Sequence, residues 1–279
     1  MKRICAIALG CLVLLPLAVW TGDVPCLDCG PGRVELAQMV VDPYTLFPGG
    51  PVAGDAATNF DASDDYFSAT SWYPADSDKG IMSFWVRRDT TGVAHMVHAG
   101  SNNRYRIIIG SDDKIVFWLR NTSGGTILDI DSGSTTIADT NWHHVLFSWE
   151  LDASPRSWMY IDDIDVKNVT TEALGIADWT RVINRTGASG AGTAGTFLDG
   201  CLSEFYVQIG EFLDFSVTAN RRLFIDASSK PVDLGSDGST PTELQPEVYI
   251  PGDDFTDNKG TNANLTAAGS PVACSNNPG

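Results

Sequence analysis

Residues 139–163 read DTNWHHVLFSWELDASPRSWMYIDD, with two adjacent histidines and three tryptophans among several acidic side chains. Apolar and polar residues alternate through residues 142–149, and this period of two is typical of a β-strand. One face of that strand carries Trp142, His144 and Leu146, and the other carries His143, Val145, Phe147 and Trp149. Residues 152–156, DASPR, have the composition of a turn, and residues 157–162 return as an antiparallel partner. The stretch therefore predicts a β-hairpin.

The histidines of this hairpin raise the question of a metal or acid–base centre. Neighbours on a strand point to opposite faces, so His143 and His144 cannot bind one metal ion together or act as one acid–base pair. His95 and His98 stand three residues apart, and on a regular strand that spacing also separates their faces. We therefore expect the hairpin to have a structural role and not to form a metal or acid–base centre.

The strand pattern extends on both sides of the hairpin. Residues 81–87 form an apolar run between turn residues, and residues 105–109 and 115–119 alternate around the turn GSDDK. No segment of residues 55–210 has a sustained helical period, and only residues 216–224 suit a short helix, capped by Ser216. The pattern predicts an all-β fold, a two-sheet antiparallel β-sandwich.

The composition excludes one class of partner. The chain has 35 acidic and 18 basic side chains among 279 residues, for a net charge of −17. Binding to phosphate backbones needs a concentrated basic face, so we expect no nucleic-acid partner. The apolar content of 43% is enough for a substantial core.

The first 21 residues have the layout of a secretory signal. Lys2 and Arg3 precede an apolar run that extends to Trp20, although no Ala-x-Ala cleavage pattern follows it. An uncleaved membrane anchor is the alternative, because the run is at the short end of a spanning segment. We expect a secreted or cell-surface protein with no stable membrane span after signal removal, and a Pro- and Gly-rich linker over residues 22–54.

Four of the six cysteines remain after removal of such a signal. They are Cys26, Cys29, Cys201 and Cys274, and four cysteines allow three pairings in an oxidising compartment. The Cys26-x-x-Cys29 motif has no second pair at metal-site spacing, so a local disulfide or free thiols are favoured over zinc.

Five short motifs together resemble one family. They are NFDASDDYF at 59–67, MSFWVR at 82–87, NWHHV at 141–145, MYIDD at 159–163 and DGCLSEFYV at 199–207. In this order they resemble the strands of laminin G-like, concanavalin A-like jelly rolls, over residues 55–210. The resemblance implies a concanavalin A-like jelly roll with irregular N- and C-terminal extensions, the second a loop-rich tail, residues 211–279, that packs on the sandwich.

The tail carries a second resemblance. ANRRLFI at 219–225, KPVDLG at 230–235 and NKG at 258–260 resemble the end of laminin G-like proteins often encoded by bacteriophages and prophages. This implies a structural subunit of a virion or extracellular assembly, or a homo-oligomer, as the alternative to a binding protein, with the virion surface as the alternative location. Cys201 and Cys274 bracket the closing strand and the tail, so we expect a disulfide between them, with Cys26 and Cys29 paired locally or reduced.

Hydrolytic members of this fold carry alternating acids on one strand, which gives a third hypothesis, a glycan-active hydrolase. Glu150-Leu-Asp152 begins such a pattern, but Pro155 ends the strand before a second acid appears. Asp162 and Asp163 are better interpreted as turn carboxylates. We therefore predict that the protein is not an enzyme.

The leading hypothesis is non-catalytic recognition of a surface glycan or protein by loops at one rim of the sandwich. The candidate ligand-binding residues are Trp72, Tyr73, Asn102, Asn103 and Arg104, although Trp72 also suits the core; the small-residue loop 188–196 is a further candidate. Many laminin G-like domains bind calcium, so the resemblance also implies a calcium site. Asp76, Asp78, Asp112 and Asp113 offer suitable oxygen ligands, but no fixed loop spacing selects them.

Overall fold

The computed structural model describes residues 56–99, 103–152, 154–189, 195–252 and 254–279. The signal-like segment, the linker, Cys26 and Cys29 lie outside these residues. The described residues form eighteen strands and one short helix. They are β1 (Thr58–Asp61), β2 (Tyr66–Thr70), β3 (Lys79–Arg88), β4 (Ala94–Ala99), β5 (Tyr105–Ile109), β6 (Ile115–Arg120), β7 (Thr126–Asp131), β8 (Trp142–Glu150), β9 (Arg156–Ile161), β10 (Ile164–Asp165), β11 (Asn168–Glu172), β12 (Ile183–Thr186), β13 (Ala188–Ser189), β14 (Gly195–Phe197), β15 (Asp199–Ile209), α1 (Thr218–Arg221), β16 (Val248–Ile250), β17 (Thr266–Ala268) and β18 (Val272–Ala273).

Two eight-stranded antiparallel sheets form the fold. Sheet A has the order β10-β9-β8-β3-β15-β1-β18, and β16 also pairs with β15. Sheet B has the order β11-β7-β6-β5-β4-β12-β2-β17, and β13 and β14 form a small separate hairpin. The predicted two-sheet antiparallel sandwich is confirmed.

The hairpin at 139–163 lies in sheet A. Glu150 pairs with Arg156 next to the turn that joins β8 to β9, and Val145 pairs with Ile161 at the other end of the hairpin. Asp162 and Asp163 then occupy the tight turn into β10, both with positive φ, 51° and 65°. Two consecutive left-handed residues are the requirement of a type I′ hairpin turn, which Asp tolerates better than most residues. The interpretation of the two aspartates as turn carboxylates is confirmed.

The core lies between the sheets and is rich in aromatic rings. Val145, Phe147 and Trp149, which the alternation places on one face of β8, are all fully buried there. Trp149 stacks on Trp179 with ring centroids 5.6 Å apart. Gly80 lies directly beneath Trp149, where a Cβ would come within 2.0 Å of the indole, so only glycine leaves room for this packing.

The segment after residue 210, expected as an irregular tail, supplies three strands. β16 and β18 pair in sheet A, with β15 and β1, and β17 pairs with β2 in sheet B. The predicted disulfide is confirmed: Cys201 of β15 is bonded to Cys274, with Cα atoms 6.2 Å apart. The bond closes a separation of 73 residues and ties the far end of the segment to the middle of sheet A.

The same segment covers the outer face of sheet A. A second apolar cluster forms there, joining Ile81, Leu146, Tyr160, Tyr206 and Tyr249 of the sheet to Phe215, Phe224 and Leu234 of the covering segment. Asp163 holds this cover in place by accepting hydrogen bonds from Arg221 and Arg222, both at 2.5 Å. Residues 215–234 are called the cover below.

The helix within the cover is shorter than predicted. It spans Thr218–Arg221, and its N-cap is Val217, without a side-chain cap. Ser216, the predicted cap, instead donates its hydroxyl hydrogen to Asp214 Oδ1 at 2.6 Å. The Asp214 side chain therefore closes a local turn before the helix begins, which displaces the serine from the capping position.

Candidate functional site

The outer face of sheet B carries a continuous row of side chains. Directly paired residues of antiparallel strands share a face, and the register aligns one residue from each of the eight strands. From β17 to β11 the row is Thr266, Ser68, Arg185, His98, Arg106, Trp118, Asp129 and Thr171. Seven strand spacings make it about 34 Å long. We refer to these eight residues as the cross-strand row.

The row carries a cation–aromatic group at its centre. The guanidinium of Arg106 lies 4.3 Å from the Trp118 ring centroid, and that of Arg120, two residues along β6, lies 3.7 Å from it. Trp118 is 7% exposed as a result. The indole therefore holds the two guanidinium groups in place more than it offers a free ring face.

Two histidines lie beside Arg106, and here a prediction is wrong. His95 and His98 were expected on opposite faces, but a register shift in β4 between His95 and Val97 puts an extra residue between them. Their rings contact each other, with centroids 5.3 Å apart. A β-bulge breaks the period of two, and alternation in the sequence does not reveal it.

Burial keeps both histidines uncharged. Desolvation lowers the pKa of His95 to about 4, with His98 and Arg106 adding to the effect. The pKa of His98 is also lowered, chiefly by desolvation, although its hydrogen bond with Asn103 opposes the shift. Near neutral pH the positive charge of this face therefore comes from its arginines.

A shallow depression lies at the β2–β12 end of the row. It has a volume of about 350 Å³ and is lined by Ser68, Ala69, Thr70, Ile183, Arg185 and Thr266. Arg185 lies over the Tyr66 ring at 5.0 Å and donates to the Ser189 carbonyl oxygen at 3.1 Å. Hydroxyl groups and a fixed guanidinium are suited to hydrogen bonding with a polyhydroxylated ligand.

The predicted rim residues lie in different places. Trp72 and Tyr73 are 4% and 2% exposed and belong to the core, and the Trp72 indole donates to the Ala263 carbonyl oxygen at 3.1 Å. Their expected place in an exposed binding loop is therefore wrong, because both rings are covered. Arg104 forms an ion pair with Asp178 at 3.3 Å, so it serves as a structural contact.

The other two rim candidates lie beside the row or outside the described residues. Asn103 accepts a hydrogen bond from His98 Nε2 at 2.6 Å, which places it against the cross-strand row. Asn102 and most of the 188–196 loop, residues 190–194, lie outside the described residues. The structure therefore brings one predicted binding residue to the candidate site.

The aspartates predicted for calcium make separate contacts. Asp76 accepts hydrogen bonds from Trp179 N and Thr180 N at 2.9 and 3.1 Å, and the Asp78 carbonyl oxygen accepts from Leu151 N. Asp112 pairs with Lys114 at 3.3 Å, and Asp113 pairs with Arg88 at 2.5 Å. The four carboxylates do not form a group in the described residues.

A different aspartate group forms in the β1–β2 turn. Asp61, Asp64 and Asp65 each place a carboxylate oxygen within 4.8 Å of the others, so this group could hold a metal ion. Asp65 is buried and accepts a hydrogen bond from Ser270 N at 2.7 Å, and burial raises its pKa. Hydrogen bonds from Ser63 lower the pKa of Asp61. The sequence shows these residues in the motif NFDASDDYF, but no spacing rule singled them out.

The acids considered for hydrolysis are engaged elsewhere. Glu150 pairs with Lys79 and Arg156 at 2.5 Å each, and the hydrogen bond from Lys79 is the main reason that its pKa is lowered. Asp162 contacts His143 Nδ1 at 2.7 Å and accepts from His144 N at 2.8 Å. His143 and His144 point to opposite faces, as predicted, although one aspartate contacts both residues.

Among the described residues, no helix has the length and apolar character that crossing a bilayer requires.

Comparisons with known proteins agree with the fold. A laminin G family model, described as the concanavalin A-like lectin/glucanases superfamily, matches residues 61–210, slightly more than half of the 279 residues. Among curated proteins, none matches the sequence. The phage association suggested by the tail receives no support from these matches.

Solved structures give the same fold at low sequence identity. The chain is similar to a heptameric SAP-like pentraxin from Limulus polyphemus, with 12% identity and a TM-score of 0.51 over 80% of this chain and 96% of that one. It is also similar to a putative carbohydrate binding protein from Bacteroides ovatus, with 12% identity and a TM-score of 0.54 over 82% of this chain and 62% of that one. Domains LG4-5 of the mouse laminin alpha1 chain match at 17% identity and a TM-score of 0.42, over 59% and 44%.

Proposed function

Because the chain belongs to the concanavalin A-like lectin/glucanases superfamily, we propose that it is a non-catalytic glycan-recognition protein whose ligand lies on the outer face of sheet B. One observation carries the proposal. The chain's own cover occupies the outer face of sheet A, whereas the outer face of sheet B presents a row of polar and cationic side chains.

The shape and chemistry of the row support a glycan. An extended oligosaccharide presents hydroxyl groups at regular intervals, and the strands of sheet B repeat about every 4.8 Å. Ser68, Thr266 and Arg185 provide donors and acceptors around the shallow depression. The similarity in fold to a putative carbohydrate binding protein is consistent with this role.

The proposal is non-catalytic because the acids of this face are poorly placed for hydrolysis. Asp129 and Asp131 share a face of β7, and burial raises the pKa of Asp129. Asp131 accepts hydrogen bonds from Gly133 N at 2.7 Å and Asn168 Nδ2 at 3.0 Å, so both of its oxygens are engaged. A hydrolase needs one free nucleophile or base opposite an acid.

Calcium at the aspartate group of the β1–β2 turn is a second part of the proposal. Asp61, Asp64 and Asp65 offer the oxygen ligands that calcium prefers. We expect a saturable calcium-binding signal in calorimetry that Asp64→Asn weakens. Unchanged calcium binding in that variant would exclude this group as the site.

The proposal also places the protein outside the cytosol, at a surface or in the extracellular medium. The Cys201–Cys274 disulfide supports this location, since such bonds persist mainly in oxidising compartments.

The experiment is a glycan array probed with the wild type and two serine variants. Ser68→Tyr fills the depression on the outer face of sheet B, whereas Ser154→Tyr adds the same side chain to the exposed β8–β9 turn of sheet A. We expect Ser68→Tyr to weaken binding at least about tenfold and Ser154→Tyr to leave it unchanged. Equal affinity in all three proteins would place the ligand elsewhere.

Two further outcomes separate the alternatives. Release of reducing sugar from a bound glycan, abolished in Asp129→Asn, would show a hydrolase instead. A failure to bind any glycan, together with a multimer in sedimentation, would favour the structural-subunit role.

A further inference from the structure

The outer face of sheet B carries a group of arginines although the chain as a whole is acidic. The chain has a net charge of −17, yet Arg106, Arg120 and Arg185 lie together on this face beside His95 and His98. A local cationic patch on an acidic protein attracts anions while the remaining surface repels them.

The central arginines lack the partners that other arginines have. Seven of the described arginines form ion pairs with carboxylates, namely Arg87, Arg88, Arg104, Arg156, Arg181, Arg221 and Arg222. Within the described ranges, the side chains of Arg106 and Arg120 form no hydrogen bond or ion pair, and their Nε atoms are buried without an acceptor. They contact the Trp118 ring instead.

The carboxylate of Asp129 does not compensate for this arrangement. Asp129 attracts Arg106, but the pKa of Arg106 is lowered overall, by burial and by the neighbouring Arg120. Two guanidinium groups held together without an anion repel each other, and a buried donor without an acceptor costs free energy. A bound anion would relieve the repulsion between the two guanidinium groups.

From this geometry we infer that the ligand of the outer face of sheet B is an anionic glycan, whose sulfate or carboxylate group binds between Arg106 and Arg120. The inference rests on the proposed function and adds the chemical class of the ligand. Guanidinium groups bind carboxylate and sulfate oxygens through pairs of charge-assisted hydrogen bonds. Trp118 holds the guanidinium planes at fixed orientations, which lowers the entropy lost on binding.

The row also leads us to expect a preference for polymers over free anions. Arg185 lies two strands from Arg106, separated by His98 of β4. That separation, about 10 Å, places a second cation along the direction in which a glycan chain would extend. A polymer with repeated anionic groups contacts both cations, whereas inorganic sulfate contacts one.

The test uses three polymers with one backbone: dextran, carboxymethyl dextran and dextran sulfate. We expect the wild type to bind one or both anionic polymers, to show no binding to dextran, and to bind inorganic sulfate far more weakly than the anionic polymers. High salt should weaken the binding. Comparison of the two anionic polymers shows whether carboxylate or sulfate is preferred.

Arginine-to-glutamine substitutions on the two sheets locate the binding site. Arg106→Gln with Arg120→Gln should weaken binding at least about tenfold, whereas Arg156→Gln, which removes a cation from sheet A, should leave it unchanged. If the double variant unfolds, as judged by circular dichroism, the single Arg120→Gln variant replaces it. An equal loss in Arg156→Gln would show non-specific attraction and overturn the inference.

The remaining outcomes separate this inference from the proposed function. Binding of a neutral glycan that Ser68→Tyr abolishes, without binding to either charged polymer, would overturn the anionic ligand and keep glycan recognition. Absence of binding to neutral and anionic glycans alike would overturn both.

Discussion

The outer faces of the two sheets contrast with each other. Both sheets bury one face in the common core, but residues 215–234 bury the outer face of sheet A in a second apolar cluster. The outer face of sheet B has buried and half-buried polar side chains and a shallow depression. A segment outside the strand pattern therefore determines which face of this sandwich remains uncovered.

Loss of the disulfide should have the largest effect, and mainly on sheet A. Replacing Cys201 and Cys274 by alanine removes a closure of 73 residues, which in the chain-entropy model stabilises by about 4 kcal/mol as an upper value. Urea denaturation measures the loss. Hydrogen exchange should accelerate in β3 and β8 more than in β5 and β6; equal acceleration would contradict a cover specific to sheet A.

A matched pair of isoleucines compares the faces directly. Ile81 lies in the second cluster and is fully buried, whereas Ile108 lies half-buried on the outer face of sheet B. We expect Ile81→Ala to lower the free energy of unfolding by about 3 kcal/mol and Ile108→Ala by about 1 kcal/mol or less. Equal losses would mean that something covers sheet B in solution.

The covered face should also affect the pH dependence of stability. His144 is 1% exposed, lies 2.8 Å from Ser83 Oγ, and has a pKa lowered by burial to about 4, with Asp162 and Asp163 opposing the shift. Because its ordinary pKa is 6.5, the unfolded chain binds a proton first as the pH falls. The contribution of His144 to the free energy of unfolding is therefore at its full value above pH 6.5. It decreases as the pH falls towards 4, by at most roughly 3 kcal/mol.

Its neighbour should act in the opposite direction. Hydrogen bonds with Asp162 and Asp139 raise the pKa of His143, so its contribution is complete below pH 6.5 and decreases as the pH rises through the raised value. The free energy of unfolding, measured from pH 4 to 8, should therefore decrease less between pH 6.5 and pH 4 in His144→Gln than in the wild type. His143→Gln should change the pH dependence only above pH 6.5, where the wild type loses stability as the pH rises. Identical slopes in both variants would contradict the assigned environments.

The smallest loss of stability is expected at Asp163, which binds two arginines of the cover. Asp163→Asn keeps a residue that tolerates positive φ but removes the charge that binds Arg221 and Arg222. We expect a loss of about 1 to 2 kcal/mol, since the site is partly exposed. Asp112→Asn, in the exposed β5–β6 turn of sheet B, is the control and should not change the denaturation midpoint.

Much of the fold could be predicted because alternation is a local property. The alternation in residues 105–119 and 142–149 sorts their side chains onto two faces, and the structure has strands in both stretches. The pairing of Cys201 with Cys274 followed from where the closing strand and the tail lie along the chain. These predictions needed no knowledge of register between distant strands.

The candidate site could not be predicted in the same way. The cross-strand row depends on the register of eight strands, and the meeting of His95 with His98 depends on one bulge. Trp72 and Tyr73 lie in a connection between strands, yet their rings point into the core, and sequence does not give the direction of a loop side chain. The signal that could have helped was the arginine pattern, since Arg106 and Arg120 lie in strands with no acidic residue beside them in the sequence.

The short segment from β17 to β18 has a consequence for the order of folding. It adds an edge strand to each sheet by pairing with β2 and β1, and Ser270 contacts Asp65 from 205 residues away along the chain. During synthesis the first strands leave the ribosome long before these partners do. Contacts of such separation form late and slowly. The edges of nascent β1 and β2 that pair with β18 and β17 therefore remain unpaired until residues near 270 have emerged.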